Sequence, residues 1–152
     1  MEASETTPDL HVVTALYRTT NAVVREMDQR LGRDHNVTFI QAVTLVAVDS
    51  FEQAQPHLVA DYLSQQSQTV TGVLDRLERA GHIVRKRDLG DRRAVRLELT
   101  EQGATLVAAV RKSLARDISE IVAQLSPEKR TVLAGLLQEF EASVEVAAKQ
   151  NR

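Results

Sequence analysis

Apolar residues at Leu10, Val13, Leu16, Tyr17, Val24, Met27 and Leu31 recur in steps of three and four, with Thr20 between them. That period places them on one face of a helix over about residues 9–32, with Gly32 as its stop. Thr38 followed three residues later by Gln41 is a capping-box pattern, and it opens a second helix carrying Ala42, Leu45, Val46 and Val48. Asp49 to Gln55 is polar apart from Phe51 and is closed by Pro56, so it reads as a loop. A short helix over about 57–64 turns Leu58, Val59, Tyr62 and Leu63 inward, and Ser64-Gln65-Gln66 reads as a turn. Ser67 is expected to cap the next helix through its side chain. Val70, Val73, Leu74 and Leu77 then fall at i, i+3, i+4 and i+7, one buried stripe. Ala80-Gly81 ends this helix, because glycine accepts the left-handed backbone that a helix terminus needs.

The period then changes to two. Ile83 to Arg87 form a strand, Asp88-Leu89-Gly90-Asp91 supplies turn chemistry, and Val95, Leu97 and Leu99 alternate with Arg96 and Glu98 on the way back. Thr100 caps a long helix with the stripe Val107, Val110, Leu114, Ile118, Ile121 and Leu125. Ser126-Pro127 opens a last helix, with Leu133, Leu136, Leu137, Phe140 and Val144 as its apolar positions. The expected fold is mainly α with a small β-hairpin wing. A winged helix-turn-helix over residues 38–99 is flanked by helices at 9–32 and 100–149, all in one domain, 1–152. The apolar stripes of the flanking helices exceed what the small central unit can cover, which points to a second copy of the chain as their partner.

Composition narrows the chemistry. The 152 residues include no cysteine, which excludes a disulfide framework, a thiolate metal site and a thiol redox switch. His11, His35, His57 and His82 share no metal-ligand spacing, so no metal and no cofactor are expected. No nucleophile–base pair, split carboxylate pair or glycine-rich phosphate loop is visible, which argues against an enzyme. No apolar stretch is long enough to span a membrane. The acidic Met1–Glu5 start has no apolar core, so a secretory signal is not expected, and a cytoplasmic protein is.

The formal net charge is −2, yet residues 76–96 hold eight basic residues against three acidic ones, a local +5 in an otherwise acidic chain. Such clustering is the electrostatic footprint of a phosphate-binding surface. With its apolar stripe buried, the helix that opens at Ser67 exposes Gln68, Thr69, Thr71, Gly72, Asp75, Arg76 and Arg79. A helix fits the major groove of a DNA duplex, where short polar side chains can reach base edges. Arg76 and Arg79 are better suited to phosphates, and Ser67 and Arg87 are further candidate DNA-binding residues.

Two runs carry a family resemblance. Asp91-Arg92-Arg93-Ala94-Val95-Arg96-Leu97-Glu98-Leu99-Thr100-Glu101-Gln102-Gly103 resembles the wing signature of the MarR (multiple antibiotic resistance regulator) family, D-x-R followed by a strand and L-T-x-x-G. Val70 to Arg85 resembles its recognition helix and entry to the wing, and Thr38 to Val48 its second helix. The resemblance implies a homodimer that binds a pseudo-palindromic operator in double-stranded DNA, usually to repress transcription. It implies that Arg93 enters the minor groove and that Asp91 braces the wing, with Arg92 a further candidate DNA-binding residue. It implies release of DNA by a small, often aromatic anion, for which Tyr17, Arg18, Phe51 and His57 are candidates. The sequence departs from the pattern at Gly72, where the family commonly has a larger, often basic residue, and at Gln65-Gln66, which replaces a glycine-containing turn. The competing expectation is a winged-helix protein that acts through protein partners or small-molecule binding without specific DNA binding.

Overall fold

The computed structural model describes residues 7–87, 90, 91 and 94–152. Among these, the element order is α1 (Pro8–His35), α2 (Phe39–Ser50), α3 (Pro56–Tyr62), α4 (Ser67–Arg79), β1 (Ile83–Arg87), β2 (Val95–Leu99), α5 (Glu101–Val122) and α6 (Pro127–Gln150). The chain divides into two compact units, Met1–Ser113 and Leu114–Arg152.

The first unit is built around α2, α3, α4 and the hairpin. Leu45, Val48, Val59, Val70, Val73, Leu74, Leu77, Ile83, Leu97 and Val107 form one buried core. All four stripe positions of α4 lie in it, each side chain contributing about 1.5–3 kcal/mol of apolar burial. The strands pair antiparallel with Ile83 opposite Leu99 and Arg87 opposite Val95. In this register Ile83 and Leu97 face the core while the basic side chains Lys86 and Arg87 stay outside.

Caps fix where the helices begin. Thr38 accepts from the Gln41 amide at 3.3 Å while the Gln41 side chain accepts from the Thr38 amide at 2.9 Å, the expected reciprocal box. A carboxylate from α1 adds to it: Asp28 accepts from the Phe39 amide at 2.7 Å. The junction therefore satisfies orphan donors of α2 from two directions. Ser126 accepts from the Lys129 amide at 3.3 Å and so caps α6 as its sequence predicts.

Four local expectations need correction. Gly32 does not stop α1, which runs on to His35 and ends at Asn36 in the left-handed conformation (φ 55°). Asparagine tolerates that region through its short polar side chain. Ser67 does not cap α4 with its side chain: it is the first helical residue, Gln66 is the cap, and neither supplies a side-chain capping bond. Tyr62 is 61% exposed rather than inward. The segment 49–55 is not wholly loop: α2 extends through Ser50, and Ala54 pairs with β2, its carbonyl accepting from the Leu97 amide at 2.8 Å. In the α3–α4 turn the positive φ falls on Ser64 (49°), a position where glycine would be unstrained.

The base of the wing is joined to α5 by a compact set of contacts. The Thr100 hydroxyl donates to the Gly81 carbonyl at 2.6 Å and accepts from the Gly103 amide at 3.0 Å, capping α5. The Thr100 amide donates to the His82 carbonyl at 3.1 Å. Gly81 has φ 83°, and a Cβ on Gly103 would stand 1.9 Å from the His82 oxygen. The threonine and glycine of the L-T-x-x-G run thus have a steric and hydrogen-bonding reason.

The second unit differs in its burial. No residue of α6 is buried, and Val132, Leu133, Leu136, Leu137, Val144 and Val146 are all exposed. In α1 the same holds for Leu10, Val12, Val13 and Tyr17, so its apolar stripe is buried only from Met27 onward.

A methyl group cannot be accommodated at residue 103 without moving backbone. Gly103→Ala is expected to cost about 3 kcal/mol, the top of the overpacking range, read as a lowered denaturant midpoint with unchanged slope. A loss under about 0.5 kcal/mol would mean that α5 can shift away from His82 at little cost.

Candidate nucleic-acid interface

Helix α4 presents two opposed stripes. Val70, Val73, Leu74 and Leu77 face the core, and Gln68, Thr69, Gly72, Asp75, Arg76 and Arg79 lie exposed on the other side. Ser67 is exposed in the first turn. Gln68 and Thr69 make no side-chain hydrogen bond among the described residues, so their donors and acceptors face solvent. Thr71 is different: its hydroxyl donates to the Ser67 carbonyl at 2.8 Å, which leaves the oxygen available mainly as an acceptor. Gly72 lies midway along the exposed stripe, and a Cβ there would meet nothing within 4 Å. Glycine inside a helix is disfavoured by about 1 kcal/mol relative to alanine, and no packing contact of α4 requires it here.

The basic segment separates into two groups. Arg85 reaches from β1 to α4, with its guanidinium 2.7 Å from Asp75 and 2.8 Å from Glu78, and its amide donates to Glu78 at 3.1 Å. Partial burial works against the Arg85 charge, but hydrogen bonds and attraction from Asp75 and Glu78 outweigh it and raise its pKa. This fork matches the planar five-donor geometry of guanidinium, which a lysine could not reproduce. Across the hairpin, Lys86 and Arg96 both reach Glu98, at 2.6 Å and 2.8 Å. The hydrogen bond from Lys86 lowers the Glu98 pKa most, against a smaller desolvation effect, with the Lys86 charge and Arg96 adding to it. Arg85, Lys86 and Arg96 are therefore occupied within the fold.

Arg76, Arg79 and Arg87 are exposed and make no ion pair among the described residues. Asp91 is exposed, and its carbonyl accepts from the Ala94 amide at 3.0 Å. Arg92 and Arg93 lie outside the described residues. Periodicity identified the exposed stripe, but charge counting alone did not separate the occupied basic residues from the available ones. The separating signal is non-local: Asp75 and Glu78 face β1 from the helix before it.

The four effector candidates fall in different places. Arg18 lines an open groove of about 770 Å³ along α1, together with His11 and Arg25. Tyr17 is 68% exposed and does not line that groove. Phe51 is half-buried, its ring 5.9 Å from that of Tyr62 and edge-on to it, and His57 is exposed. No cluster of three metal-ligating side chains occurs among the described residues. No helix among them is long and apolar enough to cross a membrane.

Residues 35–94 match the model of the MarR family. The transcriptional repressor NicR of Pseudomonas putida is 36% identical over 121 residues, 78% of this chain and 75% of that protein. The regulator PecS of Dickeya dadantii is 35% identical over 86 residues, so the match spans 57% of this chain and about half, 52%, of PecS. A complex of S. aureus MepR with DNA superposes with TM-score 0.78 at 27% identity, covering 86% of this chain and 96% of that one. Bordetella bronchiseptica BpsR, whose DNA binding is regulated by 6-hydroxynicotinic acid, superposes with TM-score 0.78 at 25% identity, covering 86% and 98%. With a buried-and-exposed α4, a basic wing and these relatives, the chain belongs to the MarR family of transcriptional regulators.

Proposed function

We propose that this chain is a homodimeric repressor that binds a pseudo-palindromic operator in double-stranded DNA. The observation that carries the reading is the exposed face of α4, where uncommitted Gln68 and Thr69 lie at one end and unpaired Arg76 and Arg79 at the other. The N-terminal end of α4 enters the major groove. Ser67, Gln68, Thr69 and Thr71 address base edges, and Arg76, Arg79 and Arg87 hold phosphates. The wing approaches the adjacent minor groove, with Arg92 and Arg93 supplying charge and Asp91 bracing the turn. The protein acts without catalysis, in the cytoplasm, where its proposed partner lies.

A second copy of the chain covers the apolar positions of α1 and α6. Leu10, Val13, Leu133, Leu136 and Leu137 are between 42% and 57% exposed, a density of uncovered large apolar side chains unusual for a monomer. A twofold pair places two copies of α4 on one duplex, and palindromic half-sites follow from that symmetry. A small aromatic anion releases the DNA. BpsR, regulated by 6-hydroxynicotinic acid, supports that class of effector. Arg18 and Arg25, along the same groove, supply positive charge for a carboxylate. Tyr17, Phe51 and His57 remain candidates for the aromatic part.

Two measurements test this reading. In sedimentation the native chain is expected at twice the chain mass at micromolar concentration, and Leu133→Asp with Leu137→Asp is expected to shift it to monomer. A native monomer would overturn the dimer. For DNA, duplexes enriched by the native protein from a random pool are titrated beside a scrambled duplex at fixed salt. Gln68→Ala and Thr69→Ala are expected to weaken the enriched duplex by about 1–3 kcal/mol and to spare the scrambled one. Arg76→Ala is expected to weaken both by similar factors and reduce the salt slope by about one unit. Equal losses on both duplexes for Gln68→Ala and Thr69→Ala would move base reading away from α4.

A further inference from the structure

We propose that Gly72 is a specificity-determining position: its missing side chain lets the middle of α4 approach the floor of the major groove more closely than any other residue would permit. The proposal rests on the DNA-binding reading above and adds to it a role for a residue with no side chain. Helical spacing puts Gly72 on the line Gln68, Thr69, Gly72, Asp75, Arg76 and Arg79, opposite the stripe Val70, Val73, Leu74 and Leu77. It sits one turn after the proposed base-reading pair and one turn before Asp75 and Arg76. The residues on either side are long or branched, so the stripe has a notch at its centre.

Nothing inside the protein accounts for this glycine. The two glycines that the fold requires are recognisable by other features: Gly81 has a positive φ, and a Cβ on Gly103 would collide with the His82 carbonyl. At Gly72 the backbone is ordinary helix and the space beyond it is open. An alanine there would favour the helix, which excludes a folding reason. The space in front of residue 72 is the space a duplex would occupy if α4 entered the groove. A close approach of backbone to a ligand is one of the uses to which glycine is put. Asp75, the next stripe residue, is held by Arg85 at 2.7 Å, so its carboxylate is turned to the wing and partly neutralised at the same approach.

The test uses the full-length native chain and the variants Gly72→Ala, Gly72→Ser and Gly32→Ala. Gly32 is also exposed and open around its Cβ, but lies in α1, away from the proposed reading face. Each protein is titrated with a duplex enriched by the native chain and with a scrambled duplex, and its thermal midpoint is recorded. Gly72→Ala is expected to raise the midpoint by a few degrees, as Gly32→Ala does, while weakening the enriched duplex at least tenfold and the scrambled one less than twofold. Gly72→Ser is expected to weaken the enriched duplex further. Unchanged affinity of a folded Gly72→Ala or Gly72→Ser for the enriched duplex overturns the proposal alone, since the native chain still selects a sequence. Equal weakening on both duplexes also overturns it, because the notch would then serve general approach and not specificity. Failure of the native chain to enrich any sequence overturns the DNA-binding reading and this proposal with it.

Discussion

A steric limit at one backbone oxygen organises the first unit. The His82 carbonyl receives the Thr100 amide, and the Gly103 Cα packs so closely against the same carbonyl that a Cβ there would stand 1.9 Å from the oxygen. Gly81, in the left-handed region, turns the chain out of α4 immediately before it. The end of the reading helix, the start of the wing and the first turn of α5 are therefore set by contacts among Gly81, His82, Thr100 and Gly103. Close-packed interiors transmit displacement because they cannot absorb it. A shift of α5 at this point is passed to α4 and to both strands.

Charge in this protein is best judged by what each group already holds. The basic segment is strongly positive by count, but three of its members are engaged by Asp75, Glu78 and Glu98 within the fold. Those pairs are partly exposed and each adds at most about 1 kcal/mol. Their geometric effect is larger than their energetic one: Arg85 ties β1 to two successive turns of α4, fixing the angle at which the wing leaves the helix. Arg76, Arg79 and Arg87 are exposed and make no ion pair among the described residues.

Much of this architecture was legible because it is written in local periods. The α4 stripe, the capping box at Thr38 and Gln41, the Gly81 stop and the change from period four to period two at Ile83 all depend on residues within a few positions of each other. Other contacts have the opposite property. The Ala54 bridge to Leu97, the Asp28 cap on α2, the bond of 2.7 Å between His35 and buried Ser113, and the pairing of Arg111 with Asp49 at 2.8 Å join residues far apart in sequence. No local pattern encodes them. Gly32 misled because glycine is a common terminator, yet tertiary packing around Leu31 carried the helix one more turn, to an asparagine that could adopt the same left-handed geometry. At the candidate interface, position along the helix was readable, but which arginines were available was not, because Arg85 is held by Asp75 and Glu78 of α4 and Arg96 by Glu98 of its own strand.

The single bridge between Ala54 and Leu97 has a consequence for the chain's behaviour at high concentration. A two-stranded ribbon has two open edges, each a template on which another chain could add a strand and begin an aggregate. At Leu97 the outer edge of β2 is already occupied by the carbonyl of Ala54, from the segment between α2 and α3. On β1 the Arg85 amide is already taken by the Glu78 carboxylate, and the strand carries Arg85, Lys86 and Arg87 in succession. Two like copies meeting there would find that amide bonded and would bring the exposed Arg87 of each copy into the same contact. The same short strand that turns a basic surface outward is thereby guarded against pairing with itself.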